Sequence, residues 1–174
     1  MVVVVLFVLA YVAFRAIARD NDEVQYQSPS DYQAAVSSGL DAVCNHNQLQ
    51  GWAPSSPPRG WRLINQPSYT SDWHLGLTDG TGYLVVEEGL ASRRDVTAKA
   101  IQGEETPAGK VTINGKSWSA YTYPHGGYAV SRAMEAKIPR YKETLVVAGG
   151  AGATPAQVRD FAASLKPAEC TSAD

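Results

Sequence analysis

The pair with the clearest chemical potential is Asp72 and His74, which stand two positions apart in a stretch that alternates like a β-strand. Positions two apart share one face of a strand, so Asp72 would orient the imidazole of His74. A hydrolase would also need a serine brought close by folding, and the sequence has no G-x-S-x-G nucleophile motif. We therefore predict a surface histidine at position 74 and no catalytic residues, and we keep an envelope hydrolase that uses His74 as an alternative.

Two pairs of adjacent carboxylates, Glu87-Glu88 and Glu104-Glu105, are the next candidates for acid–base chemistry. Adjacent residues of a strand point to opposite faces, so Glu87 and Glu88 cannot work as a facing pair. The other pair falls in a predicted loop. We predict that both pairs are solvated charge.

Aromatic residues surround a short glycine-containing turn that also holds His125. Tyr121, Tyr123 and Tyr128 flank this turn and would line a groove for a glycan, a lipid or a peptide. The four tryptophans and most of the other aromatic residues are expected to pack in the core. The predicted binding residues are therefore Tyr121, Tyr123, His125 and Tyr128, together with His74.

The chain has two cysteines, Cys44 and Cys170, near the two ends of its polar part. Outside the cytoplasm such a pair usually forms a disulfide, and two free thiols are the alternative. His46 near Cys44 does not make a metal site without further ligands. The glycine-rich stretch 149–152 lacks a Walker lysine, and the net charge is −2. We expect no metal, no cofactor and no nucleic-acid partner.

The N-terminus is the strongest indication of location. Residues 2–14 are uncharged, and the stretch up to residue 19 is barely long enough for a spanning helix of about 20 residues. A cleaved signal peptide and a buried core helix remain as alternatives. We predict a transmembrane anchor over residues 1–19, a linker over 20–29 and one domain over 30–174. Arg15 and Arg19, taken alone, favour the inside, but the cysteine pair leads us to place the domain outside the cytoplasm.

Turn and capping signals divide the domain into short elements. Asn114-Gly115 predicts a type I′ hairpin turn, and Thr154-Pro155 predicts the start of the last helix. A capping box at Ser30 to Gln33 predicts the first helix. The predicted helices are 30–43, 92–102 and one after Thr154, whose apolar stripe is Val158, Phe161, Ala162 and Leu165. The predicted strands are 61–65, 73–78, 83–88, 110–113, 116–123, 128–134 and 143–148. Residues 45–60, with three prolines, are predicted as a loop. The fold class is α+β, with an antiparallel sheet of about six to seven strands packed with two to three helices, after one N-terminal transmembrane helix.

The sequence resembles the actinobacterial membrane-anchored family called domain of unknown function 4245. The apolar N-terminus and several short motifs carry the resemblance: Pro58-Arg59-Gly60-Trp61-Arg62, Trp73-His74-Leu75-Gly76-Leu77, Gly82-Tyr83-Leu84, Ile113-Asn114-Gly115-Lys116-Ser117-Trp118, Leu145-Val146-Val147-Ala148-Gly149 and Phe161-Ala162-Ala163-Ser164-Leu165. The resemblance implies a single-pass envelope protein and transfers no catalytic residue.

Together these features predict a non-enzymatic binding or accessory domain of the cell envelope. It would be attached to the membrane through the N-terminal helix and would contact an envelope protein or a cell-wall ligand. Two alternatives stay open, the hydrolase that uses His74 and a lipid-binding domain. Lipid carriage would demand a continuous apolar cavity between the sheet and the helices.

Overall fold

The computed structural model describes residues 28–46, 49–64, 67–69, 72–90, 104–134, 143–150 and 152–168. The predicted anchor, most of the linker and the predicted helix 92–102 lie outside these residues. In the described ranges, no helix is long and apolar enough to cross a membrane. The elements in chain order are α1 (Pro29–His46), β1 (Trp52–Pro54), β2 (Arg62–Leu63), β3 (Ser68–Tyr69), β4 (Trp73–Thr78), β5 (Tyr83–Gly89), β6 (Thr106–Ile113), β7 (Lys116–Tyr123), a 3₁₀ turn (Pro124–Gly126), β8 (Gly127–Met134), β9 (Glu143–Gly150), α2 (Pro155–Ser164) and β10 (Leu165–Pro167).

The main sheet of the described chain has eight strands, all of them paired antiparallel. Seven of them run in the order β2-β4-β5-β9-β8-β7-β6, and β3 pairs with β4 beside β2. A separate two-stranded ribbon joins β1 to β10. The α+β class is therefore confirmed. The eighth strand, β3, is only two residues long and follows Pro67, which hides it from sequence periodicity.

Both described helices cover the same face of the main sheet. Tyr32, Val36 and Val43 of α1 and Val158 and Phe161 of α2 are buried in one core with the inward residues of the strands. These strand residues include Trp73, Leu75 and Leu77 of β4, Leu84 and Val86 of β5, and Leu145 and Val147 of β9. The other face is buried as well, in a cluster of Tyr121, Tyr123, Ala129, Val146 and Ala148.

Both described helices begin with a capping box, in which the cap residue and the third helical residue exchange hydrogen bonds. Thr154 accepts a hydrogen bond from Gln157 N at 3.2 Å, and Gln157 Oε1 accepts one from Thr154 N at 2.8 Å, as predicted for α2. In α1 the capping box lies at Ser28 and Asp31, with Pro29 as the first helical residue. The predicted cap at Ser30 was wrong by two residues, because Ser28-Pro29 supplies both a capping hydroxyl and a proline that fits the first turn.

The hairpin and turn predictions agree with the backbone. Asn114 and Gly115 have φ angles of 48° and 71°, as a type I′ turn requires. Gly80 also has positive φ, and Asp79 Oδ1 closes that turn by accepting bonds from Thr81 N and Gly82 N, each at 2.8 Å. The β4–β5 and β6–β7 hairpins therefore follow from local sequence signals.

The ribbon of β1 and β10 corrects two predictions. Residues 52–54 were predicted as part of a loop, and Leu165 as part of the apolar stripe of the last helix. The structure pairs Trp52 with Pro167 and Pro54 with Leu165. Both segments are short and contain proline, and their pairing joins distant parts of the chain, so neither carries a local strand pattern.

Candidate functional site

His74 lies on β4, on the sheet face opposite the helices, with its side chain 31% exposed. Its Nδ1 is 2.5 Å from Oε1 of Glu87, which faces it from β5 in direct register. The carboxylate that contacts Nδ1 of this imidazole is therefore Glu87, and the orienting role of Asp72 stays a prediction. A buried carboxylate that orients an exposed imidazole is the arrangement found in general-base dyads.

A hydrolase would also need a nucleophile beside His74. Strand pairing places Ser68 of β3 directly opposite His74, so that Ser68, His74 and Glu87 occupy one row across three adjacent strands. The described contacts of the imidazole itself go to Glu87. Residue 68 thus shares a register row with His74 and Glu87, and the hydrolase stays a second candidate function.

The predicted tyrosines do not form one groove. Tyr121 and Tyr123 lie on the same side of the sheet as His74, whereas Tyr128 points into the core on the helix side. The difference follows from register, because Tyr128 pairs with Thr122 and therefore shares its face. All three are at most 8% exposed. His125 belongs to the 3₁₀ turn, and its side chain lies outside the described part of the structure.

Glu87 and Glu88 point to opposite faces, as predicted, but they are not solvated charge. They are 3% and 0% exposed. Glu88 accepts hydrogen bonds from Gln50 N at 3.1 Å and from Gly51 N at 2.8 Å. Burial, followed by the carboxyl of neighbouring Glu143, raises the pKa of Glu88 to about 9, against the opposing effect of the two N–H groups. Glu88 therefore holds a proton at neutral pH.

A pocket of about 240 Å³ opens between the sheet and α2, and we call it the Arg132 pocket. The guanidinium of Arg132 lies between two indole rings, 5.7 Å from the centroid of Trp52 and 5.3 Å from that of Trp118. Lys116 and Asn114 line the pocket with them. The indole N–H groups of both tryptophans are buried and have no hydrogen-bond acceptor among the described residues.

A larger cavity of about 520 Å³ lies between α2 and the loop 56–61, and we call it the Arg59 groove. The loop turns sharply, with Trp61 N bonded to Pro58 O at 2.9 Å and Gly60 at a φ of 84°, so Arg59 stands at the tip of the turn. Trp61, Leu84 and Phe161 form an apolar floor. Polar side chains complete the lining: Ser56, Arg59, Gln157, Asp160 and Ser164.

Cys44 is disulfide-bonded near the end of α1. Cys170 lies outside the described residues, so its pairing with Cys44 stays a prediction. Within the described ranges, no cluster of three or more histidine, cysteine, aspartate or glutamate side chains could hold a metal ion.

Sequence reasoning missed both cavities. The signal available for the Arg59 groove was the Pro58-Arg59-Gly60-Trp61 turn, in which a glycine at the third position requires positive φ and fixes where the arginine projects. The Arg132 pocket had no local signal, because Trp52, Trp118 and Arg132 come from three separate strands. Their contact depends on the β1–β10 ribbon, which sequence periodicity did not reveal.

Comparison with known proteins is informative at the level of the family only. No curated protein and no solved structure matches the chain. A family model described as Protein of unknown function (DUF4245) matches residues 1–165, which is nearly the whole sequence. The chain therefore belongs to this family of proteins of unknown function.

Proposed function

We propose that this chain is a membrane-anchored binding module of the cell envelope, with its folded domain outside the cytoplasm and a cell-wall glycan in the Arg59 groove. The observation that carries the proposal is the composition of this groove. A sugar hydroxyl both donates and accepts hydrogen bonds, and its ring carbons present an apolar face. The groove offers donors, acceptors and an apolar floor within a single cavity of about 520 Å³.

Each of these parts has a specific source. The Arg59 guanidinium only donates, and the Asp160 carboxylate accepts. Gln157 uses its carbonyl oxygen to cap α2, which leaves its amide N–H groups without a partner among the described contacts. Arg59 and Asp160 are both exposed, and neither forms an ion pair within the described structure. Their hydrogen-bonding capacity is therefore available to a ligand.

Binding of the full chain, in detergent or nanodiscs, to isolated cell-wall sacculi tests this proposal. Arg59→Ala and Asp160→Ala should each weaken binding about tenfold, since a hydrogen bond to a charged group contributes about 1.5–3 kcal/mol. Arg159→Ala is the matched control, because Arg159 is exposed on α2 and is not among the groove residues. Equal binding by all three variants would contradict the proposal.

The proposed location has a separate test. The uncharged run 2–14 and the cysteine pair favour an anchored domain outside the cytoplasm. A C-terminally tagged full-length chain should stay in the membrane fraction after a high-salt wash, and protease added to intact spheroplasts should remove the tag. A chain that washes off, or a tag that is protected, would contradict this part of the proposal.

The second candidate is hydrolysis at His74, which the His74–Glu87 contact at 2.5 Å favours. In this reaction His74 would take the proton of a serine hydroxyl that attacks an ester or amide carbonyl, and Glu87 would stabilise the imidazolium. The imidazolium would return the proton to the leaving alcohol or amine as its bond to the carbonyl breaks, and water would then hydrolyse the acyl-serine. Ester hydrolysis by the full chain, lost in both His74→Gln and Ser68→Ala, would support it. Activity that survives in His74→Gln, or no activity at all, would reject it.

A further inference from the structure

We propose that the Arg132 pocket is a binding site for a compact oxyanion, a carboxylate or phosphate group. This site lies on a different part of the α2 surface from the Arg59 groove, and the argument for it is independent of the glycan proposal. The pocket volume of about 240 Å³ suits a small polar group rather than a whole oligosaccharide.

The polar groups in the walls of the pocket are mainly hydrogen-bond donors. Lys116, Arg132 and the two indole N–H groups can only donate. Asn114 contributes an amide whose N–H₂ already binds Ala163 O at 2.7 Å. Aliphatic side chains complete the lining: Ile113, Leu145, Ala162 and Leu165. The polar groups of the pocket are thus mostly donors and carry two positive charges, which fits a ligand that only accepts.

These donors lack strong hydrogen-bond acceptors among the described residues. The hydrogen bonds of Arg132 in the described structure go to the thioether sulfur of Met134, from Nε at 3.1 Å and from Nη2 at 2.8 Å. A thioether is a weak acceptor for a guanidinium that has five N–H groups. Trp118 is 4% exposed, and its indole nitrogen and that of Trp52 have no described acceptor. Buried donors are rarely left in this state, so an acceptor in the pocket would explain them.

A nearby tryptophan shows that the fold satisfies such donors where it needs no ligand. The Trp73 indole, which is fully buried in the same core, donates its N–H to Trp52 O at 2.8 Å. The unpartnered indoles are the two that line the Arg132 pocket. Both buried indoles without a described acceptor therefore belong to the wall of this pocket.

The Arg132 side chain is held in place before any ligand binds. Two aromatic rings within 6 Å hold the guanidinium by cation–π contacts. Stacking leaves the in-plane N–H groups available for a bidentate contact with an oxyanion. Because the side chain is already ordered, binding costs little of the rotamer entropy that a free arginine would lose.

The side chain of Glu143 does not take the place of the ligand. Arg132 pairs with Leu145, and Glu143 lies two positions away along β9, on the same face of the sheet. The carboxyl of Glu143 neighbours protonated Glu88, and the hydrogen bonds of Arg132 in the described structure go to Met134. The guanidinium therefore turns towards the indoles and the pocket instead of forming this ion pair.

The test uses the full chain in detergent and follows tryptophan fluorescence, because Trp52 and Trp118 form the walls. Inorganic phosphate and acetate are titrated separately, with chloride at equal ionic strength as the reference. We expect a saturable change with at least one of the two anions at millimolar concentration, beyond the change that chloride produces. The anion that gives it identifies the group as phosphate or carboxylate.

Arg132→Met keeps an unbranched side chain between the rings and removes the donors and the charge. We expect it to weaken anion binding about tenfold or more. Arg159→Met, at an exposed position of α2 outside the pocket, makes the same chemical change and should bind like the wild type. Wild-type affinity in Arg132→Met, or no saturable response to either anion, would overturn the proposal.

A second variant protects the test against misfolding. Lys116 is exposed at the turn of the β6–β7 hairpin, so Lys116→Gln should leave the fold intact. Loss of its charge should weaken anion binding about threefold, as expected for a partly screened contact. If Arg132→Met does not fold, unchanged affinity in Lys116→Gln overturns the proposal.

Discussion

The adjacent residues Glu87 and Glu88 show how one strand places two carboxyl groups in different environments. Glu87 faces the side of the sheet opposite the helices, where His74 lies 2.5 Å away. Glu88 faces the helix side, where it receives the N–H groups of Gln50 and Gly51 and has Glu143 as a neighbour. Glu87 therefore contacts a basic imidazole, whereas Glu88 keeps its proton.

Retention of this proton makes stability depend on pH. The pKa of Glu88 is about 9 in the folded chain against a reference value of 4.5. A raised pKa means that the folded state binds more protons, so the contribution is complete below about pH 4.5 and is lost as the pH rises through about 9. We expect the free energy of unfolding to fall between pH 6 and pH 9 in wild type. In Glu88→Gln, which stays neutral, this fall should be smaller.

Urea denaturation of both proteins across that pH range measures the effect. At pH 6 the variant should be less stable by about 1–2 kcal/mol, because a glutamine offers one acceptor oxygen where Glu88 uses two. Glu104→Gln at an exposed position is the control and should keep the wild-type pH dependence. The same pH dependence in Glu88→Gln would contradict the assignment of this proton.

Alternation along β5 predicted correctly that Glu87 and Glu88 face opposite sides. It did not predict that both are buried, because their burial depends on residues far away in the sequence. The N–H groups that bind Glu88 belong to residues 50 and 51, and the imidazole that meets Glu87 comes from β4. Periodicity assigns a side chain to a face, whereas the chemical environment of that face is set by tertiary contacts.

At the scale of elements, the prediction was accurate where the signal is local. Strands β4 and β7 and the cap of α2 were predicted with the bounds that the structure shows. Strands β1, β3 and β10 were missed, since each has two or three residues and depends on a partner strand for its conformation. Strands this short do not extend over a full alternation of side chains.

Gly39 illustrates how a residue that is locally unfavourable serves the packing of an element. It lies in the interior of α1, where glycine costs about 1 kcal/mol relative to alanine. A Cβ at this position would be 2.9 Å from Cζ3 of Trp73 and 3.1 Å from the carbonyl oxygen of Pro67. The glycine therefore lets the helix approach the β3–β4 edge of the sheet closely.

We expect Gly39→Ala to destabilise the domain by about 1–3 kcal/mol, since overpacking outweighs the gain in helix propensity. Trp73 is fully buried, and its indole N–H is bonded to Trp52 O, so the ring cannot move away without losing that bond. Ser38→Ala, one position earlier on the exposed side of α1, should be neutral or slightly stabilising. Thermal unfolding of both variants measures this difference. A Gly39→Ala variant as stable as Ser38→Ala would show that the fold does not need the close approach of α1 to Trp73.

At the scale of the whole molecule, the described structure brings distant parts of the sequence together. Ribbon β1–β10 pairs residues 52–54 with 165–167, and Ala168 N donates to Gly51 O at 2.8 Å. Gly51 in turn packs against Leu40 and Val43 of α1. The chain at residue 168 therefore runs beside the end of the helix that carries Cys44. The side of the Arg132 pocket formed by Trp52 and Leu165 depends on this closure, because both residues belong to the ribbon.

This arrangement supports the predicted bond between Cys44 and Cys170. Cys44 is disulfide-bonded and directly follows Val43, and Cys170 is the other cysteine of the sequence, two residues beyond Ala168. Peptide mass spectrometry without reduction should find the two cysteines linked, and alkylation of both thiols in unreduced protein would contradict the bond.

Closing a loop of more than 100 residues stabilises a fold by up to about 4–5 kcal/mol. The double variant Cys44→Ala and Cys170→Ala should be less stable than wild type, and its free energy of unfolding should not change when reductant is added. The free energy of unfolding of wild type should fall on reduction. Because the bond secures the chain end that follows β10, we also expect reduction to weaken anion binding in the Arg132 pocket more than glycan binding in the Arg59 groove.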